Sequence, residues 1–323
     1  MDVSLAWWVA VVGVVLGMLA ADLLVFHREA HEVSAREAGI WTLVWVVLGL
    51  GFGAVVVWQF GLDFGAQYFA GYVIEKSLAV DNIFVFAVIF SAFSIPAKYQ
   101  HRVLFWGVIG ALIFRAIFIA AGAALLDRFH WTIYLFGGLL IVTAWRLWSH
   151  RGHQPDPANN PAILWIRRRF PMTDRLDGQR FFTRQNAKRL ATPLFAALVA
   201  VELADIVFAV DSIPAIFAVT SEPFLVFASN AFAILGLRSM YFLLADMIKR
   251  FRYLSVGLAA VLAFVGVKML LIDVYKIPIA VSLAVIIATL AVSVVVSIRT
   301  TTVDGAVHPD PHPRDESETV LPD

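Results

Sequence analysis

The segment EKSLAVDNIFVF, residues 75–86, places three ionisable side chains inside an apolar stretch long enough to cross a membrane. These side chains are Glu75, Lys76 and Asp81. An ionised group at the centre of a bilayer costs about 2.5–3.5 kcal/mol on insertion scales, so one without a use is rare there. We therefore interpret the segment as a functional part of a membrane helix.

The composition of the chain is that of an integral membrane protein. Of its 323 residues, 60% are hydrophobic and 15% are charged, whereas a soluble domain is about half apolar and about a quarter charged. One helix needs about 20 apolar residues to span a bilayer, so we predict an all-α polytopic membrane protein with about nine transmembrane helices. The predicted spans are 4–26, 40–60, 68–92, 103–124, 131–149, 191–219, 224–246, 253–273 and 278–298.

Positive charges fall in alternate connections between the predicted spans. Lys98 and Arg102 follow the third span, and the long connection 150–190 is rich in arginine. The intervening connections carry only Arg128 and Lys276. Because loops rich in Lys and Arg remain in the cytoplasm, we predict that the N-terminus lies outside and the C-terminus in the cytoplasm.

The segment around Asp81 returns later in the chain as DIVFAVDSIPAIF, residues 205–217. In both copies an acid stands six residues before the central aspartate, Glu75 before Asp81 and Asp205 before Asp211. Spans 3–5 therefore correspond to spans 6–8, a 3+3 repeat, and the second copy enters the membrane from the opposite side because three is odd. Inverted-topology repeats are typical of secondary transporters, whose sites lie near the bilayer midplane where the repeats meet.

This repeat divides the chain into six segments. They are two N-terminal spans (1–67), the first repeat (68–149), a basic cytoplasmic linker (150–190), the second repeat (191–274), a ninth span (275–300) and a tail (301–323). The tail lacks an apolar period, which predicts disorder. We interpret the linker as a determinant of topology at the inner leaflet rather than as a nucleic-acid-binding patch.

Oxygen-bearing side chains in the spans form the predicted metal site. Its members are Asp22, Glu75, Asp81, Asn82, Glu202, Asp205, Asp211 and Ser212. Carboxylate, amide and hydroxyl oxygens suit hard divalent ions such as Mn²⁺, Mg²⁺ and Ca²⁺. The chain has no cysteine, which excludes thiolate ligands and disulfides. A proton relay through the same carboxylates is the alternative use, and both hold if protons exchange for the metal.

Helix geometry limits how these acids can meet. At about 100° per residue, Glu75 and Asn82 share a face while Asp81 lies about 120° away, and the second copy repeats this relation. A straight helix would therefore not direct both acids of one copy into one cavity. Pro214, three residues after Asp211, is predicted to kink or unwind the sixth span there.

Four cationic side chains accompany the acids within the spans. They are Lys76, Arg115, Arg238 and Lys268. GALIFRAIF matches FAILGLRSMYF in the second copy, which aligns Arg115 with Arg238. Arginine suits fixed bidentate pairing with carboxylates, so these cations are either structural partners of the acids or gating charges.

Three motifs resemble the TerC family of membrane proteins, first named for tellurium-ion resistance: YVIEKSLAVDNIFVF (72–86), the stretch TPLFAALVAVELADIVFAVDSIPAIFAVT (192–220) and SNAFAILGLRSMYFLL (229–244). The family includes the alkali-induced Alx protein and bacterial manganese exporters. The resemblance implies export of Mn²⁺ from the cytoplasm across the bacterial inner or plasma membrane and a relation to the LysE transporter superfamily. It also implies no organic cofactor and assigns the family acids to Asp22, Glu75, Asp81, Glu202, Asp205 and Asp211.

Two other functions remain open at this point. The first is a non-transporting membrane partner of tellurium-resistance or secretion factors, docked through the basic linker. The second is a transporter of Ca²⁺ or Mg²⁺, because oxygen ligands alone do not set selectivity. An enzyme is not expected, since HExxH and a Ser/His pair are absent. The expected partners are a divalent ion, the lipid bilayer and protons as counter-ion, with no nucleic acid.

Overall fold

The computed structural model describes residues 1, 3–26, 34–149, 171–173, 175–185, 188–244, 254–275 and 277–307. Within these residues the chain forms helices and one short hairpin. The helices are α1 (Leu5–Phe26), α2 (Ala35–Phe60), α3 (Leu62–Ala92), α4 (Ala97–Arg128), α5 (Thr132–Ser149), α6 (Pro193–Phe217), α7 (Pro223–Leu235), α8 (Leu237–Leu244), α9 (Leu254–Leu270) and α10 (Ile279–Val307). Residues 150–170 of the predicted linker and 308–323 of the predicted tail lie outside the described part.

Each predicted span falls on a helix, with α7 and α8 together covering the seventh. In the described part, six helices are long and apolar enough to cross a membrane, and the pair α7–α8, bent by 42°, makes a seventh. Helix α3 carries four charged residues and α9 has 17 residues, so neither meets the same criterion. By length and composition, the described part of the chain therefore supports six or seven of the nine predicted spans.

Four helices form the centre of the molecule. Each of α3 and α4 packs against both α6 and α7. Helices α1, α2 and α8 lie towards one side, where α2 contacts α3, α7 and α8. Helices α5, α9 and α10 lie on the other side, where α9 packs between α5 and α10. The central helices bury several polar side chains, among them Glu75, Arg115 and Asp205.

Small residues allow the closest helix contacts. At the contact of α5 with α9, a Cβ on Gly266 would lie 3.0 Å from the backbone oxygen of Gly137. Between α3 and α7, a Cβ on Gly71 would lie 2.9 Å from Oγ of Ser229. Membrane helices associate through such small residues because burial gives little gain when lipid is as apolar as the interior.

The two ends of the bundle are marked by different contacts. At one end the N-terminal amine of Met1 donates to Oε1 of Glu222 at 3.0 Å. At the other end Arg102 donates to Oε1 of Gln179 at 3.4 Å and stacks over Phe181, 5.1 Å from the ring centre. The second end carries the basic connections that the sequence assigns to the cytoplasm.

Part of the basic linker has regular structure that the sequence did not predict. Strands β1 (Phe182–Gln185) and β2 (Lys188–Ala191) form an antiparallel hairpin in which Phe182 opposes Ala191. Thr192, which follows the hairpin, donates through Oγ1 to the carbonyl of Arg180 at 2.8 Å. The hairpin thus leads directly into α6.

The predicted boundary of the tail also differs from the structure. Helix α10 continues to Val307, so residues 301–307 are helical rather than disordered. Because the helix already exists from Ile279, each further residue adds a backbone hydrogen bond without the cost of nucleation. An apolar period is therefore unnecessary for these last two turns.

Candidate cation-binding site

The centre of the four-helix core holds a buried arginine. Arg115 lies near the middle of α4 and is 1% exposed. Its flanking residues, ALIF before it and AIFI after it, are apolar and continue the helix. A guanidinium has five N–H donors and must find acceptors when it is buried, so its neighbours define the polar site of the molecule.

Two carboxylates from the two matching motifs meet on this guanidinium. Nη1 of Arg115 donates to Oε1 of Glu75 on α3 at 2.5 Å. Nη2 and Nε donate to the two oxygens of Asp205 on α6, at 3.1 and 3.4 Å. Both acids are buried. The acid that stands six residues before the central aspartate is therefore brought to the same point in both copies.

Two neutral oxygens complete the surroundings of the guanidinium. Nη1 also lies 3.0 Å from Oγ of Ser212 on α6 and 2.7 Å from Oδ1 of Asn230 on α7. The amide of Asn230 donates through Nδ2 to the carbonyl of Val226 at 3.0 Å, which turns its oxygen towards Arg115. We call Glu75, Arg115, Asp205, Ser212 and Asn230 the central cluster.

Asn230 is a member of the central cluster that the sequence analysis did not identify. It stands with Ser229 in an otherwise apolar helix, FLVFASNAFAIL. An amide in the interior of a membrane helix is itself a signal, because an unsatisfied amide in hydrocarbon is unfavourable. Asn230 lies outside the repeated motif, so the similarity between the two copies does not identify it.

Several buried polar atoms on α3 and α6 have no hydrogen-bond partner among the described residues. They include Oε2 of Glu75, Nδ2 of Asn82 and Oε2 of Glu202. Glu202 lies one turn before Asp205 on α6, and its carboxylate rests against Gly110 of α4, where a Cβ would overlap with it. The two carboxylate oxygens are acceptors available to a further cation.

Asp211, the central aspartate of the second copy, points towards α5. Oδ1 of Asp211 accepts a hydrogen bond from Oγ1 of Thr143 on α5 at 2.7 Å. Asp205 and Asp211 thus face different helices, as the helical period predicts. The predicted unwinding at Pro214 is wrong, since α6 runs continuously from Pro193 to Phe217 and the proline lies in its last turn. The side chain of Asp81 lies outside the described part, although its backbone belongs to α3.

A second buried ion pair lies away from the cluster. Nη2 of Arg238, in α8, donates to Oδ1 of Asp22, in α1. Arg115 and Arg238 align in sequence, yet they hold acids from different parts of the chain. The structure therefore pairs Asp22 with a different arginine from the one that Glu75 and Asp205 share.

The two lysines also occupy distinct positions. Nζ of Lys76 donates to the carbonyl of Ala233 at 3.0 Å, in the last turn of α7 just before the bend at Gly236. A cation at this place satisfies a carbonyl that the helix end leaves free and complements the negative end of the helix dipole. Lys268 lies half-buried on α9.

The acidic residues are therefore distributed over the core rather than gathered at one point. In the part of the chain that the structure describes, no three His, Asp or Glu side chains are close enough to hold a metal ion together. Glu75 and Asp205 are held by Arg115, Asp22 by Arg238, and Asp211 by Thr143. The central cluster combines two acids from different helices.

Comparison with known proteins agrees with this membrane architecture. The profile of the integral membrane protein TerC family matches residues 60–304, which include all of the central cluster. The chain belongs to the TerC family. It is a multi-pass membrane protein of that family, and the matched region begins at the end of α2.

Relatives of this TerC-family chain match over nearly their whole length. It is 56% identical over 291 residues to the uncharacterized membrane protein STKORF319 of Myxococcus xanthus, covering 90% of this chain and 91% of the relative. It is 46% identical over 299 residues to the putative membrane-bound redox modulator Alx of Escherichia coli K12, covering 90% and 93%. No solved structure matches the chain significantly. Neither the family description nor these names assign an enzymatic activity.

Proposed function

We propose that the chain is a membrane transporter that exports divalent metal cations, Mn²⁺ in particular, from the cytoplasm. The observation that carries the proposal is the meeting of Glu75 and Asp205 on one cation in the middle of the bundle. These acids occupy the same position in two matching motifs, and membrane-buried acids without a functional role are rare. Transport sites lie at such meeting points of repeats.

The chemistry of the cluster supports a hard divalent ion as the substrate. Besides the two carboxylates it offers the hydroxyl of Ser212 and the amide oxygen of Asn230. The carboxylate of Glu202 lies one helical turn from Asp205. Oxygen ligands of this kind suit Mn²⁺, Mg²⁺ and Ca²⁺, and the resemblance to manganese exporters in the TerC family favours Mn²⁺.

The packing of the helices supports an inverted repeat of α3–α5 and α6–α9. Helices at corresponding positions contact one another: α3 packs on α6, α4 on α7 and α5 on α9. This is the relation expected of two halves around an axis in the membrane plane. In this proposal α3 and α9 also cross the membrane, which raises the number of spans to nine.

The ends of the bundle support the proposed orientation in a bacterial inner membrane. Met1 and Glu222 share one end, which the sequence places outside. Arg102 and the β1–β2 hairpin, with Arg184 and Arg189, share the other. Basic residues concentrated at one end remain cytoplasmic.

The name of the Alx relatives raises a redox role as the competing function. Thiol–disulfide exchange requires cysteine, and the chain contains none. The buried polar groups of the described core include instead carboxylates, amides, hydroxyls and two guanidinium groups. We therefore propose metal transport in preference to thiol chemistry.

The proposal is tested by the metal content of cells, measured for each element by mass spectrometry. Cells lacking the gene should accumulate Mn when the medium contains it, and the wild-type chain should restore the normal content. Glu75→Gln should fail to restore it. Asp63→Asn, at an exposed carboxylate of the same helix, should restore it fully. Unchanged Mn with altered Ca or Mg would reassign the substrate, and no change in any element would refute transport.

A further inference from the structure

One nitrogen of Arg115 has more acceptors than it can satisfy. Nη1 lies within 2.5–3.0 Å of three oxygens, from Glu75, Ser212 and Asn230. These oxygens come from three different helices, α3, α6 and α7. A guanidinium nitrogen of this kind carries only two hydrogens, so three acceptors cannot each receive one of their own. A spherical cation has no such restriction of direction.

The other edge of the same guanidinium is differently held. Nη2 and Nε contact the two oxygens of Asp205 side by side, at 3.1 and 3.4 Å. This is the parallel, bidentate geometry for which arginine and carboxylates are suited. Arg115 therefore has one edge fixed on Asp205, while its nitrogen Nη1 is surrounded by the oxygens of Glu75, Ser212 and Asn230. We call these three oxygens the shell.

The charges of the cluster also distinguish the Asp205 edge of Arg115 from the Nη1 edge. Glu75 and Asp205 together carry two negative charges when ionised, and Arg115 supplies one positive charge. Glu75 still has a buried oxygen, Oε2, without a hydrogen-bond partner among the described residues. A metal ion and Nη1 cannot bind the shell oxygens at the same time, because both are cations and need the same positions.

We propose that Nη1 of Arg115 is a tethered substitute for the transported cation. It occupies the oxygens of Glu75, Ser212 and Asn230 when no ion is bound, leaves them when the ion enters, and returns when the ion departs. Asp205 is the pivot that retains the side chain. This inference rests on the proposed function, since it takes the central cluster as the transport site.

Two consequences follow for the transporter. Arg115 competes with the metal, so it lowers the affinity of the site and eases release of the ion. It also neutralises Glu75 in the ion-free protein, which lowers the electrostatic cost of moving the empty site through the membrane. Arg115 should therefore weaken metal binding while supporting net export, in which the empty site must return.

Arg238 provides a matched control for this role. It aligns with Arg115, is buried and also forms an ion pair, with Asp22. Its substitution removes the same buried charge at a place where the sequence-related acids Glu75 and Asp205 are absent. Arg115→Gln and Arg238→Gln thus separate competition at the cluster from a general loss of positive charge.

The test measures binding of Mn²⁺ to purified protein through the loss of the paramagnetic signal of free Mn²⁺. Compared with the wild type, Arg115→Gln should bind Mn²⁺ tighter by roughly 5- to 150-fold, the usual range for coupling between two binding events. Arg238→Gln should change the affinity by less than about fivefold, which is below that range. In proteoliposomes, Arg115→Gln should retain exchange of Mn²⁺ for Mn²⁺ and lose most net efflux.

Unchanged or weaker binding by Arg115→Gln, with transport by the wild type intact, would overturn this inference alone. An equal gain in Arg238→Gln would also overturn it. If no form of the protein binds or moves Mn²⁺, Mg²⁺ or Ca²⁺, the proposed function itself fails. Should Arg115→Gln not fold, Arg115→Lys decides, because lysine lacks the fork that reaches Asp205 and the shell together. It should bind Mn²⁺ tighter than the wild type, and unchanged affinity would refute the proposal.

Discussion

Glu75 and Asp205 hold the same guanidinium, Glu75 through Nη1 and Asp205 through Nη2 and Nε of Arg115. One acid comes from each copy of the repeated motif, so the buried arginine joins the two helices, α3 and α6, that carry the motif. This arrangement makes the central cluster a structural joint and, in the proposed function, a cation site.

The first prediction concerns the stability of the joint. Asp205→Asn keeps the shape of the side chain but removes the charge that faces Nη2 and Nε of Arg115. Loss of one member of a buried ion pair typically costs about 3–5 kcal/mol, and we expect a decrease of this size in the free energy of unfolding. Reversible unfolding in mixed micelles measures it. Asp63→Asn is the control. An equally small effect of both variants would contradict a stabilising role for the ion pair between Asp205 and Arg115.

The second prediction concerns the hydroxyl that holds Asp211. Thr143→Val removes the donor at 2.7 Å from Oδ1 of Asp211 with little change in volume. Since this hydrogen bond goes to a charged acceptor, its loss should lower the free energy of unfolding by about 1–3 kcal/mol. Thr143→Ser retains the hydroxyl and should lose less. If the Ser and Val variants are equally destabilised, the hydroxyl of Thr143 does not stabilise the protein through Asp211.

The third prediction concerns the pair that ties α1 to α8. Asp22→Asn and Arg238→Gln each remove one charge of this buried ion pair, whereas the double variant removes both charges. The double variant should therefore be more stable than the sum of the single effects predicts, with a coupling energy of about 0.5–3 kcal/mol. Unfolding measurements on the four proteins of the cycle give this energy. A coupling near zero would show that the pair does not stabilise the helix contact.

The fourth prediction concerns the position of Glu202. A Cβ at residue 110 would overlap with the Glu202 carboxylate, which is the flexible end of its side chain. In Gly110→Ala the carboxylate should move while the helices remain in place, so we expect the free energy of unfolding to fall by no more than about 1–3 kcal/mol, the usual cost of added volume in a packed core. Export of Mn²⁺ should fall if Glu202 assists the site. Vesicle flux measures this fall.

Gly138→Ala is the matched control for that experiment. Gly138 lies in α5, and a Cβ there would meet no atom within 4 Å. Its export and its stability should equal those of the wild type. Full export by Gly110→Ala would show that the position of the Glu202 carboxylate does not matter for transport.

Much of the helical architecture was predictable because apolar runs and periodicity are local properties. The helix positions follow from the runs, and the shared face of Asp205 and Ser212 follows from their separation by seven residues. Both side chains contact Arg115 in the structure. The separation of Asp205 from Asp211 was predictable for the same reason.

The choice of partners was not predictable, because it depends on how distant helices pack. Arg115 and Arg238 stand in similar sequences, but α4 lies in the central core while α8 follows a bend and faces α2. Asn230 is recognised only once α7 is placed beside α4. Pro214 resembles a helix breaker in sequence, yet it lies near the end of α6 and disturbs little of the helix.

The most direct test of the central claim is uptake of Mn²⁺ into inside-out vesicles that contain the wild-type chain, Glu75→Gln, Asp205→Asn or Asp63→Asn at equal amounts in the membrane. We expect rapid uptake by the wild type and by Asp63→Asn, and uptake at the level of empty vesicles for Glu75→Gln and Asp205→Asn. Equal uptake by all four proteins would contradict a transport role for the two buried acids.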